Sequence, residues 1–358
     1  MPFLSVSYTS FRNIADTTID LLSKEVYFIG DNGQGKSNIL ESLYMASYGS
    51  SFRTRDDSEI VRTGNSQYGI RAIFRDQKER TNTIHVSWKD GKKRIEKNAK
   101  QIIDRKELVD TVPCVLFCHD DLDFAIGTPE RKRFFIDQSL SMYDSSYIDM
   151  HRQYKKILKS RNCLLKDKKA DLLDVLDVQL AQTGLQVIQK RRKTIANFNQ
   201  VFARLYQEVS GISGVHIEYS PSWKSEDEHS IVQQLIERRE QDLLMNTTLT
   251  GPHRDRIRYV IGKTPYVPTA STGQRRLLSL ILRTAQAQFY TELTGRLPVL
   301  LMDDVMLELD PDKRQRFTSV LPEYDQLFCT FLPGEPYERY KRSTTRVFDV
   351  SGGEFNVR

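Results

Sequence analysis

The sequence predicts an α/β protein whose head is split by an inserted, mostly helical arm. Three observations carry this. "EVYFIG" at 25–30 is an apolar strand that ends in a glycine loop and feeds a helix, "SNILESLYMAS", with Ile39, Leu40, Leu43 and Tyr44 at helical spacing. Two long helical patterns occupy the middle of the chain. A second buried strand, "PVLLM" at 298–302, ends in paired aspartates in the last third, which reads as α/β again.

The elements follow in order. "MPFLSVSYTSF" opens as a strand, without the basic stretch and long apolar core of a signal peptide. "YGIRAIF" and "TIHVSW" alternate as antiparallel strands with one wet face do. From about Thr128 a helical pattern runs to Leu165 and another from Ala170 to Ser210, with Pro129 suited to a first helical turn and "SGISG" at 210–214 as a stop. Two long helices with a short connection predict an antiparallel hairpin. After "VHIEYSPSW" and one more short helix, strand character returns at "RIRYVIG" (256–262), and a helix begins after "STGQ". The expected organisation is therefore head 1–125, arm 126–245 and head again 246–358, with no internal repeat.

With 358 residues the chain can bury a substantial core. Its 39% hydrophobic and 28% charged residues describe a soluble globular protein, and no apolar run approaches the ~20 residues that span a bilayer. A membrane partner is excluded on that reading. Cys114, Cys118, Cys163 and Cys329 form no CxxC pair, which fits a reducing cytoplasm. The net charge of +6 is mild, but positive charge concentrates in "KDGKKRIEKNAK" (89–100), "RQYKKILKSRNCLLKDKK" (152–169) and "QKRRK" (189–193). Each run alone reads equally as a solvated helix face; three together point to a polyanion.

"GDNGQGKS" at 30–37 satisfies GxxxxGK[ST] between an apolar strand and a helix. Gly33 and Gly35 let backbone N–H groups turn around phosphate oxygens, Lys36 supplies a mobile charge, and Ser37 offers a hydroxyl to Mg²⁺. A core strand ending in an acidic residue should accompany such a loop, and "LPVLLMDDVMLELD" (297–310) provides it. Adjacent carboxylates at a buried strand end repel each other unless a cation or water network sits there. Asp303 is assigned to Mg²⁺ and Asp304 to orienting and deprotonating the attacking water; the alternative is a pair that caps the next helix.

"STGQRR" at 271–276 is a second anion-competent helix start, with a hydroxyl, bare N–H groups and the positive dipole end. Ser271, Gly273 and Gln274 would be redundant beside a complete phosphate loop unless they face another copy's nucleotide. A twofold dimer does this and creates two shared sites. A simple N-cap is the plainer reading.

With these residues placed, the chain resembles the ABC-type ATPase heads of the SMC-like class: mixed sheets with helices and a phosphate loop, here with a helical arm inserted. Within that class it is similar to a family of bacterial DNA replication and repair proteins. The resemblance runs over nearly the whole chain, through "FRN" (11–13), "GDNGQGKSNILES", "SFRT" (51–54), "GTPERKRFFID", "YKKILKSRNCLL", "TGPHRD", "STGQRR" and "LLMDDVMLELD". It implies that Arg12 and Asn13 lie near the base and phosphates. Gly30, Asp31, Asn32, Gly33, Gln34, Gly35, Lys36, Ser37 and Asn38 would form the phosphate loop. Ser271, Gly273 and Gln274 would complete the partner subunit's ATP site. Asp303 and Asp304 match the metal and catalytic acids, Glu308 to Asp310 the loop that crosses the dimer interface, and Asp120 a Mg²⁺-sensing position.

Three departures stand out. Leu307 replaces the usual serine of the interface loop, His119 a proline, and Arg256 an aspartate after "GPHRD". His253 reads as a catalytic group or, more plainly, as a structural histidine. Arg275 and Arg276 could steady an interface or solvate a helical turn.

The function implied is an ATP-dependent DNA-binding clamp, a weak DNA-stimulated ATPase. ATP and Mg²⁺ would drive a homodimer that holds duplex DNA at gaps or single/double-strand junctions and, with RecO and RecR, loads RecA. A transporter subunit would need an apolar groove instead of the basic runs and arm. An SMC-type structural protein needs hundreds of heptad residues, against an insertion of about 120.

Overall fold

The computed structural model describes residues 2–305 and 309–358, so the predictions for Leu307 and Glu308 lie outside the described residues. In chain order the elements are β1 (Phe3–Thr9), β2 (Thr18–Asp20), β3 (Glu25–Ile29), α1 (Lys36–Tyr48), β4 (Gln67–Arg75), β5 (Thr81–Lys89), β6 (Lys92–Lys97), β7 (Lys100–Gln101), α2 (Lys106–Val109) and β8 (Cys114–Phe117). Next come α3 (Leu122–Ile126), α4 (Pro129–Tyr143), α5 (Ser145–Lys166), α6 (Leu173–Ser210), β9 (Val215–Ser220), α7 (Glu228–Glu237), α8 (Arg239–Met245), β10 (Arg256–Ile261), β11 (Thr264–Pro265) and α9 (Thr272–Thr294). The chain closes with β12 (Val299–Met302), α10 (Pro311–Ser319), β13 (Gln326–Phe331), β14 (Arg346–Ser351) and β15 (Glu354–Val357).

The chain forms two compact units. One runs through Asp121 and resumes at Gln286; the other is Leu122–Ala285. Against the sequence-based organisation, the second unit continues past residue 245. The reason is that β9 and β10 pair along six residues, from Arg256↔Ser220 to Ile261↔Val215, which ties 256–261 to the helical segment.

In the first unit a six-stranded sheet, β15-β14-β3-β13-β12-β8, is parallel apart from its β15 edge, and an antiparallel sheet runs β2-β1-β4-β5-β6-β7. β3, β8, β12 and β13 are buried at every residue, as strands covered on both faces must be, whereas β4 alternates buried and wet. Helix α1 lies between the sheets, and Ile39, Leu40, Leu43, Met45 and Ala46 join the core they share.

In the second unit α5 and α6 form the predicted hairpin, and α6 ends at Gly211 in the left-handed conformation (φ 75°). The first long pattern breaks at Asp144 into α4 and α5, because the Asp144 carboxylate accepts from Ser146 N and Tyr147 N and starts a new helix. The single short helix expected after 223 is two, α7 and α8.

Candidate nucleotide site

At the end of β3 the chain turns through residues 30–35 into α1. Gly30 is required by packing, since a Cβ there would stand 2.3 Å from the Val350 carbonyl oxygen. Gly33 and Gly35 adopt φ of 79° and 117°, the left-handed backbone that lets successive N–H groups form an anion-binding concavity. Lys36 is only 4% exposed, and its Nζ donates to the carbonyls of Gly30 (2.8 Å) and Asp31 (3.1 Å). Two carbonyls accept from its ammonium without neutralising its charge, which leaves the loop electrostatically ready for an anion.

Parallel pairing sets Met302 beside Phe117 and Cys329, so Asp303 emerges from the middle of the sheet, and its N–H donates to Phe117 O at 2.9 Å. Ser37 Oγ donates to Asp303 Oδ1 at 2.8 Å, which joins the first turn of α1 to the end of β12. Burial pushes the Asp303 carboxyl above its ordinary range, the Asp304 charge adds to this, and the Ser37 and Thr330 hydroxyls oppose it.

That is the electrostatic setting a cation would relieve. Among the described residues no three His, Cys, Asp or Glu side chains form a metal cage, and Mg²⁺ at a phosphate site needs none. A hydroxyl, one carboxylate, phosphate oxygens and waters suffice, so Ser37 and Asp303 fit.

Asp304 follows at φ 49° and lines a cleft of about 480 Å³ together with Arg12, Asn13, Asn32, Gly33, Gly35, Lys36, Ser37 and Asn38. Asn13 Nδ2 donates to Gly33 O at 2.8 Å and its Oδ1 accepts from Asn38 Nδ2 at 2.6 Å, so the "FRN" segment braces the loop from the side. Asp31 and Gln34 belong to the loop without lining the cleft; Gln34 bonds to the C-terminal hairpin instead. Asp120 is exposed on the turn after β8 and does not line the cleft.

Sequence reasoning missed several supports. Glu41, fully buried in α1, accepts from Arg12 Nε (3.0 Å), Arg12 Nη2 (2.7 Å) and Ser51 Oγ (2.5 Å). Arg53 lines the cleft and donates to Asn38 Oδ1 at 2.6 Å. The Thr330 hydroxyl, near the end of β13, donates to Asp304 Oδ1 at 2.7 Å and lies 3.2 Å from Asp303 Oδ1. A carboxylate on the otherwise apolar face of α1 was a readable signal for Glu41; Thr330 offers none.

In the second unit, the "STGQ" start of α9 is a capping box: Gln274 N donates to Ser271 Oγ (3.2 Å) while Ser271 N donates to Gln274 Oε1 (2.7 Å). Ser271 is exposed, and a Cβ on Gly273 would meet nothing. Arg275 Nε donates to Val267 O at 3.1 Å and Arg276 is buried, so neither only solvates the turn. Asp310 caps α10, accepting from Lys313 N at 2.9 Å.

The arginine-rich motifs converge on the 248–255 loop. Arg191 is clamped by Asp137 (2.8 and 2.9 Å), Asp255 (3.1 Å) and Pro252 O (2.7 Å), and Arg133 donates to Asp255 O (2.8 Å). Fully buried Arg161 joins Asp177 and Asp242, each at 2.6 Å, and Thr248 at 2.9 Å. His253 spans Tyr154 OH (2.7 Å) and Thr248 O (2.9 Å), and burial depresses its pKa to about 4, which makes it a neutral structural histidine. Arg161 and Arg191 are thus withdrawn from the basic runs, while Lys155, Lys156, Lys159 and Lys193 stay exposed.

The fold and this loop, strand and acid arrangement define an ABC-type ATPase head of the SMC-like class. The family described as RecF/RecN/SMC N terminal domain matches residues 4–355. The DNA replication and repair protein RecF of Treponema pallidum (strain Nichols) is 52% identical over 346 residues, 96% of this chain and 98% of that one. RecF of Clostridium perfringens (strain SM101 / Type A) is 33% identical over 356 residues, 98% of each chain. A solved structure of the recombination mediator protein RecF with ATP, in the RecFOR pathway, superposes with a TM-score of 0.90 at 26% identity, covering 100% of this chain and 97% of that one. An Smc head domain from Pyrococcus furiosus superposes with a TM-score of 0.59 at 16% identity over 100% and 96% of the two chains, and shares the fold. The chain belongs to the RecF family of DNA replication and repair proteins.

Proposed function

We propose that this protein is an ATP-gated DNA clamp of recombinational repair and replication restart. ATP binds the 30–37 loop, with Lys36 moving from the Gly30 and Asp31 carbonyls to the phosphates. Ser37 and Asp303 would hold Mg²⁺, which would supply neutralisation of phosphate charge. Asp304 orients and deprotonates the attacking water. Ser271, Gly273 and Gln274 of a second copy close on the γ-phosphate, so that two heads join only when ATP is bound. Exposed lysines of the 89–100 and 152–169 runs contact DNA phosphates at gaps and single/double-strand junctions, DNA stimulates a slow hydrolysis, and hydrolysis releases the clamp. In this role the protein helps RecO and RecR load RecA.

The observation that carries this reading is the division of anion-binding parts. The cleft that holds Lys36, Ser37 and Asp304 is lined by first-unit residues alone, while the exposed capping box at Ser271 stands in the second unit. A capping box satisfies the helix end in the free protein and can hand its hydroxyl and N–H groups to an arriving phosphate.

Gel filtration with light scattering tests it, run with and without Mg²⁺ and ATP and then with gapped duplex DNA at about 50 and 200 mM salt. The proposal expects a mass that doubles from 41.6 kDa with ATP, and DNA binding that weakens steeply with salt. A monomer in saturating ATP contradicts it.

A further inference from the structure

We propose that the turn of the C-terminal hairpin, Gly352–Gly353 between β14 and β15, is a positioning element of the nucleotide site. The phosphate loop and this turn are more than 300 residues apart in sequence, yet they are bonded directly. Gly352 N donates to Gln34 Oε1 at 2.6 Å and Gly353 N to Gln34 O at 3.0 Å. On its other side the turn holds the "FRN" segment, since Ala15 N donates to Gly353 O at 3.0 Å. Gly353 is wedged between the two: a Cβ there would lie 1.9 Å from Asn13 O, and its φ of 82° disfavours any side chain. The Gly353 Cα stands 3.7 Å from where a Gly35 Cβ would be, and three residues earlier, in β14, Val350 O fixes the approach of Gly30.

These contacts hold the loop and its left-handed glycines from one side. An anion cradle binds well when its N–H groups are already arranged, because ordering them during binding would subtract from affinity. The hairpin grips the loop at its first glycine and at its middle, and grips the bracing Asn13 segment as well. It touches no reacting atom. It therefore acts on nucleotide affinity through the loop and leaves turnover of bound ATP alone.

The test is Gly353→Ala, with Gly295→Ala as control, since Gly295 has a similar φ of 67° and open space around a Cβ. Fluorescent ATP analogue binding and steady-state ATPase are measured on the full-length protein. The expected result for Gly353→Ala is a Kd and KM raised about tenfold or more with kcat at saturation unchanged, and no change for the control. Amide exchange should quicken at 30–37 and not along α5 and α6.

Should Gly353→Ala fail to fold, Gln34→Met keeps the side-chain length without the acceptor for Gly352 N and should raise Kd about threefold. Wild-type affinity in both variants, or an affinity loss that the control shares, overturns the inference. It rests on residues 30–37 being the ATP site, and a wild-type protein that binds no analogue would overturn that reading and this one with it.

Discussion

Thr330 and Asp304 are joined twice: Asp304 N donates to the Thr330 hydroxyl at 2.8 Å, and that hydroxyl donates to Asp304 Oδ1 at 2.7 Å. The pair holds Asp304 at φ 49°, a conformation aspartate tolerates only at some cost. Thr330 is 2% exposed, so no solvent competes for its single proton.

Thr330→Val keeps the volume and removes both bonds. The expected outcome is a kcat lower by on the order of 10²-fold with ATP affinity unchanged, because a displaced base misses the water while the loop is untouched. Thr330→Ser should restore most of the rate. Steady-state ATPase with a nucleotide titration checks it; a Serine variant as slow as the valine one would refute the positioning role.

Asp304→Asn retains size and loses the proton acceptor. It should hydrolyse ATP on the order of 10²–10⁴-fold more slowly, bind ATP normally and accumulate as the ATP-bound dimer. Single-turnover hydrolysis and light scattering on the same sample read both effects.

Asp303 carries a carboxyl raised by burial and by Asp304. A raised carboxyl adds stability in acid and loses it as pH rises through the folded pKa, so above that window the ionised Asp303 destabilises the metal-free fold. Asp303→Asn should therefore raise the Tm of nucleotide-free protein at pH 7.5 while weakening the Mg²⁺ dependence of ATPase. Differential scanning calorimetry across pH 5 to 8 decides it, and a lower Tm at pH 7.5 would contradict the assigned strain.

His253 is held neutral, with its pKa depressed to about 4 by burial. The unfolded chain takes up this proton near its ordinary value of about 6.5, so the stability this gives is present above that value and is lost as pH falls towards 4. The loss amounts to about 3 kcal/mol at the acid end. His253→Gln should flatten the acid limb of urea unfolding between pH 6.5 and 4.5.

Much of the candidate nucleotide site was legible because its chemistry is contiguous. Residues 30–37 place a turn, a charge and a hydroxyl within eight positions, and Asp303 is marked by the apolar strand before it. Thr330 and Gly353 were not, since each acquires its role only by meeting a residue brought near by sheet order. The inward arginines were readable in part. Arg161 falls on the buried stripe of Tyr154, Ile157 and Leu165, and Arg191 on that of Val187, Ile188, Thr194 and Phe198, but the high density of basic residues around them masked the helical period. The α4–α5 break was hidden for the opposite reason, since apolar periodicity continues across Asp144 while its carboxylate restarts the helix.

The central claim is that Ser271 acts on a nucleotide held by another copy, and sedimentation of Ser271→Arg with Mg²⁺ and ATP, beside Lys36→Ala, tests it most directly. The account predicts that Lys36→Ala neither binds ATP nor dimerises, whereas Ser271→Arg binds ATP like the wild type and sediments at 41.6 kDa. A Ser271→Arg protein that forms the ATP-dependent dimer normally would contradict it.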